Sequence, residues 1–368
     1  MEGGSGGRLK KIYEASATRK RAFIGATALL LLITAVVSVS IGAVDIPIAD
    51  TIRVFFHALL PNHTAAPTHE WYSNIILNAR LSRVLLCALC GFSLAMSGAV
   101  MQNILRNPLV SPFTLGLSSA ASFGAAMAIV FGGSIAGSMV ILGHDFFYKS
   151  LFTAGMAFAA SLGSISLVIV LSRRKDVSRS TMILTGVIIS YLFQAGVSAA
   201  KYFSSDDALR EITLWLMGGM WNSSWGVVYL VILIVPLCAV AMEAMSMKVN
   251  ILSAGDEVAI NLGINVQRLR TSLLLLCTVM TSVCIAFTGI IGFVGLVAPH
   301  VTRMFIGNDS RYLFPASGLV GALVLLISDT MARMVIRPEE IPVGIIMYVI
   351  GGLFFIWMVT RRRKEVNM

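Results

Sequence analysis

Apolar runs of about 20 residues, each long enough to carry an α-helix through a hydrocarbon layer about 30 Å thick, recur along this chain from residue 22 to residue 360. Lipid offers no water to satisfy backbone N–H and C=O groups, so a segment that crosses it must bond to itself. No polar domain separates these runs. An all-α polytopic membrane protein follows, with 57% hydrophobic and 12% charged residues where a soluble domain carries about a quarter charged.

Ten membrane-embedded helices are expected, at 22–43, 82–105, 115–132, 150–172, 181–203, 225–247, 269–290, 296–306, 313–335 and 343–360. The eighth is too short to span. Residues 1–21 read as a cytoplasmic N-terminal segment, 22–364 as a single ten-helix transmembrane domain and 365–368 as a tail. The first run exceeds the apolar region of a signal peptide and lacks a clear cleavage pattern, so it reads as an uncleaved helix.

Charge fixes the orientation. With both termini cytoplasmic, 20 of the 28 Lys and Arg residues fall on the inner side, as Lys and Arg in short loops prefer. The net charge of +10 therefore reports membrane orientation and calls for no nucleic acid. All five cysteines, Cys87, Cys90, Cys238, Cys277 and Cys284, lie inside expected helices, where a thiol is a small apolar filler. The Cys87-x-x-Cys90 spacing lacks the βαβ setting of a redox pair. His57, His63 and His69 recur every six residues on the outer side, but a metal site would want carboxylate or thiolate partners, and Glu70 alone is thin support.

Two breaks interrupt the apolar pattern. Arg106-Asn107-Pro108-Leu109-Val110-Ser111-Pro112 follows the second helix, and Gly292-Phe293-Val294-Gly295 with Pro299-His300 follows the seventh. Proline removes a backbone donor, and glycine permits a tight reversal. Non-helical backbone at membrane depth survives only against protein or water, so both breaks should lie among other helices. Their matching positions in two halves fit an inverted repeat. For His300 a capping or packing role is simpler than a proton relay.

Acids inside the spans are few. Asp329 and Glu243 are the only ones, both near an end, and Asp329 stands four residues before Arg333, as a local ion pair requires. A carrier driven by protons or sodium keeps acids along its ion path, and a membrane enzyme needs a clustered catalytic set. Neither is visible, so energy is expected from outside the chain.

Within the cytoplasmic loop at 248–268, Gly255-Asp256-Glu257-Val258-Ala259-Ile260-Asn261-Leu262-Gly263 reads as a short amphipathic helix. Its acidic first turn suits the helix dipole, and Gly263 suits the C-terminal cap. A connector lying on the bilayer would carry Lys and Arg toward lipid. This one has none, so it reads as a docking element.

Arg80-Leu81-Ser82-Arg83, Asn107-Pro108-Leu109 with Leu115-Gly116 and Ser118-Ser119, Gly255 to Gly263, Gly289 to His300 with Arg303, and Asp329, Ala332, Arg333 with Ile341-Pro342-Val343-Gly344 together resemble the permease family of type II ATP-binding-cassette importers for iron-siderophores, haem and vitamin B12. Ser82 stands where that family usually has proline, and Ala120 where glycine is common.

The resemblance implies that fold in a prokaryotic inner membrane, an iron-siderophore as the most frequent cargo, and no catalytic residue or bound metal in this chain. It also implies a second permease copy, an extracytoplasmic solute-binding protein and two cytoplasmic ATPases that hold ATP and Mg. No Gly-x-x-x-x-Gly-Lys-Ser/Thr string occurs here, in keeping with a separate ATPase. By the same resemblance Gly255, Asp256, Glu257, Ala259, Leu262 and Gly263 form a coupling helix, and Arg80, Arg83 and Arg333 dock acidic residues of the binding protein. Snorkelling anchors are the alternative for these arginines. The family's pathway passes the fifth helix, whose polar candidates are Ser190, Tyr191, Gln194 and Ser198; ordinary interhelix hydrogen bonding explains them equally well.

Overall fold

The computed structural model describes residues 3–42, 46–60, 68–139, 145–172 and 179–366. Among the described residues seven helices are long and apolar enough to cross a bilayer, and Leu117–Gly132, Val294–Ile306 and Val343–Met358 are shorter apolar segments, which together account for the ten expected. In chain order the elements are α1 (Gly3–Ser40), α2 (Ile48–Leu59), α3 (Glu70–Asn74), a π segment (Ile75–Arg80), α4 (Leu81–Leu105), α5 (Leu117–Met139), α6 (Asp145–Leu171), α7 (Arg179–Phe203), α8 (Asp206–Met217), α9 (Trp225–Ala244), α10 (Ser246–Ala254), α11 (Asp256–Asn261), α12 (Val266–Thr288), α13 (Val294–Ile306), α14 (Ser310–Met334) and α15 (Val343–Val366).

Two expected boundaries are corrected. The first helix does not start at residue 22 but runs from Gly3; from Arg8 onward Lys, Arg, Glu and Ala favour helix, whereas the Gly-rich stretch Gly3–Gly7 has no such preference of its own. The second does not start at residue 82: helix continues from Glu70 through the π segment into α4. Ser82 permits this, having the backbone N–H that proline lacks. The wide turn accompanies a lateral tie, in which the Trp225 indole donates to the Leu77 carbonyl at 3.1 Å and holds the start of α9.

Burial sorts the helices into two groups. Most of α4, α12 and α14 is buried, and the core runs continuously through them from Leu86 and Leu94 to Leu274, Cys277 and Leu325. By contrast α1, α7, α9 and α15 expose rows such as Leu29, Leu32 and Ile33, or Leu233, Leu237 and Val240. Apolar side chains outside an apolar core mark a lipid-facing or subunit-facing shell. The five cysteines are free and buried.

Small residues set the closest approaches at the centre. A Cβ on Gly98 would come 2.0 Å from the Gly295 carbonyl oxygen, and one on Gly91 would come 2.5 Å from that of Gly321. Backbone therefore meets backbone where α4 crosses α13 and α14, the mode of packing that replaces hydrophobic driving force between helices in lipid.

Candidate functional site

Both breaks form where the sequence places them, and they touch. Arg106 (φ 49°) caps α4, and Phe293 (φ 66°) precedes α13; they are the two non-glycine residues with positive φ among the described residues. A left-handed backbone at a non-glycine residue costs about 1–2 kcal/mol and persists only when its surroundings hold it. Here the Arg106 guanidinium donates to the Leu252 carbonyl at the end of α10. Gln102 Nε2 donates to the Gly295 carbonyl at 3.2 Å, while Arg303 donates to Gln102 Oε1 and, at 2.9 Å, to Asn103 Oδ1. These bonds tie the irregular backbone to neighbouring helices, while Pro108 and Leu109 at its turn stay exposed.

The outer arginines offered as docking residues are bonded within the subunit. Arg80 is buried at 7% exposure, with Nη1 donating to the carbonyls of Val39 (3.0 Å) and Ser40 (2.8 Å) at the end of α1. Arg333 is 3% exposed and donates to the Ile41 carbonyl and to Ser38 Oγ, at 2.8 and 2.7 Å. Between them Asp329, fully buried, accepts from Arg83 Nη2 at 2.9 Å and faces Arg333 Nε at 3.1 Å. Arg83 also reaches Glu340 at 2.6 Å, and of the three arginines it stands nearest the surface.

The cluster therefore joins α1, α4, α14 and the segment after α14. Charge in a low-dielectric interior must be paired, so orphan carbonyls at the α1 terminus and the Asp329 carboxylate draw the guanidiniums inward. The local Asp329–Arg333 pair is present, but the long-range Arg83–Asp329 pair is its equal.

On the inner side α11 takes the expected form. Gly263 (φ 77°) closes it: its N–H donates to the Ile260 carbonyl and that of Ile264 to the Ala259 carbonyl, both at 2.9 Å, the paired bonds of a glycine-terminated helix. Its faces differ from expectation in one respect. Ala259 is fully buried against the subunit, and Val258, Ile260 and Leu262 are the exposed apolar residues, with Leu262 64% exposed.

Asp256 also turns inward. Its carboxylate accepts two bonds from Arg270 Nη2, at 2.9 and 2.8 Å, and lies 3.7 Å from Arg106. Arg270 Nε in turn donates to the Ile104 carbonyl at 3.2 Å. Glu257 stays on the outer side of this helix, next to Val258.

Nearby, Asp309 caps α14 and gathers Arg311 (2.8 Å), Lys20 (3.6 Å) and Asn250 (2.8 Å). Burial alone would raise its pKa, but hydrogen bonds from Arg311 and Asn250 and the Arg311 charge hold it at about 2, below the ordinary 3.8. A depressed carboxylate pKa stabilises the fold above its unfolded value, and that contribution disappears as pH falls through the folded one. Between pH 4 and pH 2 the wild-type subunit is therefore expected to lose more thermal stability in detergent than Asp309→Asn does. Parallel melting curves across that window check this.

Of the fifth-helix candidates, Ser190 is half-buried and donates to the Gly186 carbonyl at 2.8 Å. Tyr191, Gln194 and Ser198 are exposed, at helical spacing along one face of α7. An outer-side cavity of about 350 Å³ opens elsewhere, lined by Thr153, Glu211, Trp215, Trp221 and Thr288 among others. Of the three histidines considered for a metal, His69 packs against Trp71 and Tyr72, and His63 lies outside the described residues. No group of three metal-ligating side chains occurs among the described residues.

Arg270, Gln102 and Glu340 did not stand out in the sequence, and Arg106 did so only as the start of a break. For Arg270 a signal existed: it lies four residues after Val266 and three before Leu273, on the buried stripe of α12, whereas Arg268 falls on the exposed side.

Comparison with known proteins gives this arrangement its context. The hemin transport system permease protein HmuU of Yersinia pestis is 36% identical over 347 residues, covering 94% of this chain and 97% of that protein. The vitamin B12 import system permease protein BtuC of Citrobacter koseri is 32% identical over 302 residues, covering 80% and 87% respectively. A solved metal-chelate type ABC transporter in an inward-facing conformation superposes with a TM-score of 0.77 at 30% identity, over 93% of this chain and 99% of that one.

The fold is accordingly that of a type II ABC importer permease, a multi-pass protein of the prokaryotic inner membrane whose ATPase is a separate subunit. Residues 30–361 match the profile of the FecCD transport family, and the chain belongs to that family as the permease subunit of an ABC importer.

Proposed function

We propose that this permease moves an iron-siderophore complex inward, working as a pair of copies with the pathway along their shared axis. The exposed polar row on α7 carries this reading: Tyr191, Gln194 and Ser198 stand on a helix that its own subunit leaves largely uncovered. Uncharged hydroxyl and amide groups offer hydrogen bonds to a large chelate without competing for its metal, as suits a cargo that arrives fully coordinated. Relatives named for hemin and vitamin B12 likewise carry bulky metal chelates.

Alternating access follows from the two ends. On the inner side α11, with Glu257, Val258, Ile260 and Leu262 facing outward and Gly255 and Gly263 bounding it, seats in a cleft of the ATPase. On the outer side an acidic residue of the solute-binding protein meets Arg83, while Arg80 and Arg333 brace that end from beneath.

Haem and cobalamin are the competing cargoes. The complete complex in nanodiscs decides among them: its ATPase is expected to respond most to a binding protein loaded with ferric siderophore. Stimulation by hemin or cobalamin alone would overturn the cargo assignment. ATP-independent uptake under an ion gradient would overturn the importer reading itself.

A further inference from the structure

Asp256 opens the helix that is offered to the ATPase, yet its carboxylate points away from that partner. It is gripped by Arg270 through two bonds of 2.9 and 2.8 Å and stands 3.7 Å from Arg106. Both cations reach the inner end of α4, Arg106 from its own terminus and Arg270 from α12. Arg106 is its C-terminal cap, and Arg270 donates to the carbonyl of Ile104, the penultimate residue of α4, at 3.2 Å. A planar guanidinium that holds a carboxylate with one nitrogen and a carbonyl with another joins two elements at a fixed distance.

Beyond this point α4 is stiff and central. Its 25 residues extend about 37 Å at 1.5 Å per residue. Backbone contacts at Gly91 and Gly98 press it on α14 and α13, and Arg83 at its far end enters the outer cluster.

We propose that Asp256 is a positioning residue, a latch through which displacement of α11 is delivered to α4 and so to the outer end of the subunit. The proposal rests on the reading of α11 as the element that seats in the ATPase. It separates two tasks within one short helix: Val258, Ile260 and Leu262 hold the partner, and Asp256 passes the movement on. Ala259, fully buried, keeps α11 against the subunit but carries no charge that could hold α4 in register.

The complete importer in proteoliposomes tests this by the amount of solute moved per ATP hydrolysed. Charge-assisted hydrogen bonds bias an equilibrium by about tenfold or more, so Asp256→Asn and Arg270→Gln are each expected to lower that ratio about tenfold. The ATPase should still copurify with both. Asp256→Glu keeps a carboxylate for Arg270 and leaves Arg270 on the Ile104 carbonyl, and it is expected to retain most of the wild-type ratio, which a defect caused merely by altering position 256 would not do.

An unchanged ratio in Asp256→Asn, or a loss in Asp256→Glu as large as in Asp256→Asn, would overturn the latch. Loss of ATPase copurification in Asp256→Asn would also overturn it, by making Asp256 a contact residue. Leu262→Glu reports separately on the underlying reading: if the ATPase still binds that variant fully, α11 is not the seat.

Discussion

Glutamate in place of Leu262 is expected to abolish ATP-driven uptake while leaving the permease inserted and folded. Leu262 is 64% exposed on α11 and makes no core contact that the change would remove. Burying a leucine in a partner contributes about 1.5–3 kcal/mol, and burying an unpaired carboxylate there costs more. Affinity for the ATPase is therefore expected to fall by at least about 100-fold. Copurification and nanodisc ATPase measurements check this, with Ile260→Glu expected to behave alike. Unchanged uptake in both variants would show that this face meets no partner.

The second large effect is one of stability. Asp329→Ala leaves Arg83 and Arg333 facing each other across the position of a fully buried carboxylate. Removing one partner from a buried charge cluster typically costs about 3–5 kcal/mol, because the remaining charge stays desolvated. A marked drop in melting temperature and in the amount of folded protein recovered from membranes is expected. Conversion to apolar groups, Asp329→Leu with Arg333→Met, is expected to recover part of the loss. A melting temperature for Asp329→Ala equal to wild type would mean that water reaches the cluster and screens it.

These variants probe the inner and outer ends of the subunit, and the ends differ in how far they could be read from the chain. Gly263 was legible as a cap because the paired bonds that close a helix are local, spanning five residues and a positive φ. The breaks at Arg106–Pro112 and Gly292–Gly295 were legible for the same reason: proline and glycine act on their own backbone. Phe293 and Arg106 take the positive φ at those breaks, where glycines stand close by in one case and none in the other. Which residue bends was decided by the enclosing helices.

Side-chain direction was another matter. Arg80 and Arg83 sit three residues apart, yet one turns under the end of α1 and the other toward Asp329. Asp256 and Leu262 lie in one nine-residue motif and face opposite ways. Arg80, Arg83 and Arg333 turn inward because their partners, the carbonyls of Val39, Ser40 and Ile41 and the Asp329 carboxylate, come mostly from elements far away in the chain.

Hydropathy, helix length and the placement of Lys and Arg determined by themselves that this is a polytopic helical membrane protein with both ends inside, since each is read from short stretches of neighbouring residues against the thickness and sidedness of the bilayer. Only the tertiary structure decided which charges meet. An ion pair such as Arg83–Asp329 joins residues 246 positions apart. Its formation depends on helices first packing through Gly91 and Gly98, a condition that no window of neighbouring residues contains.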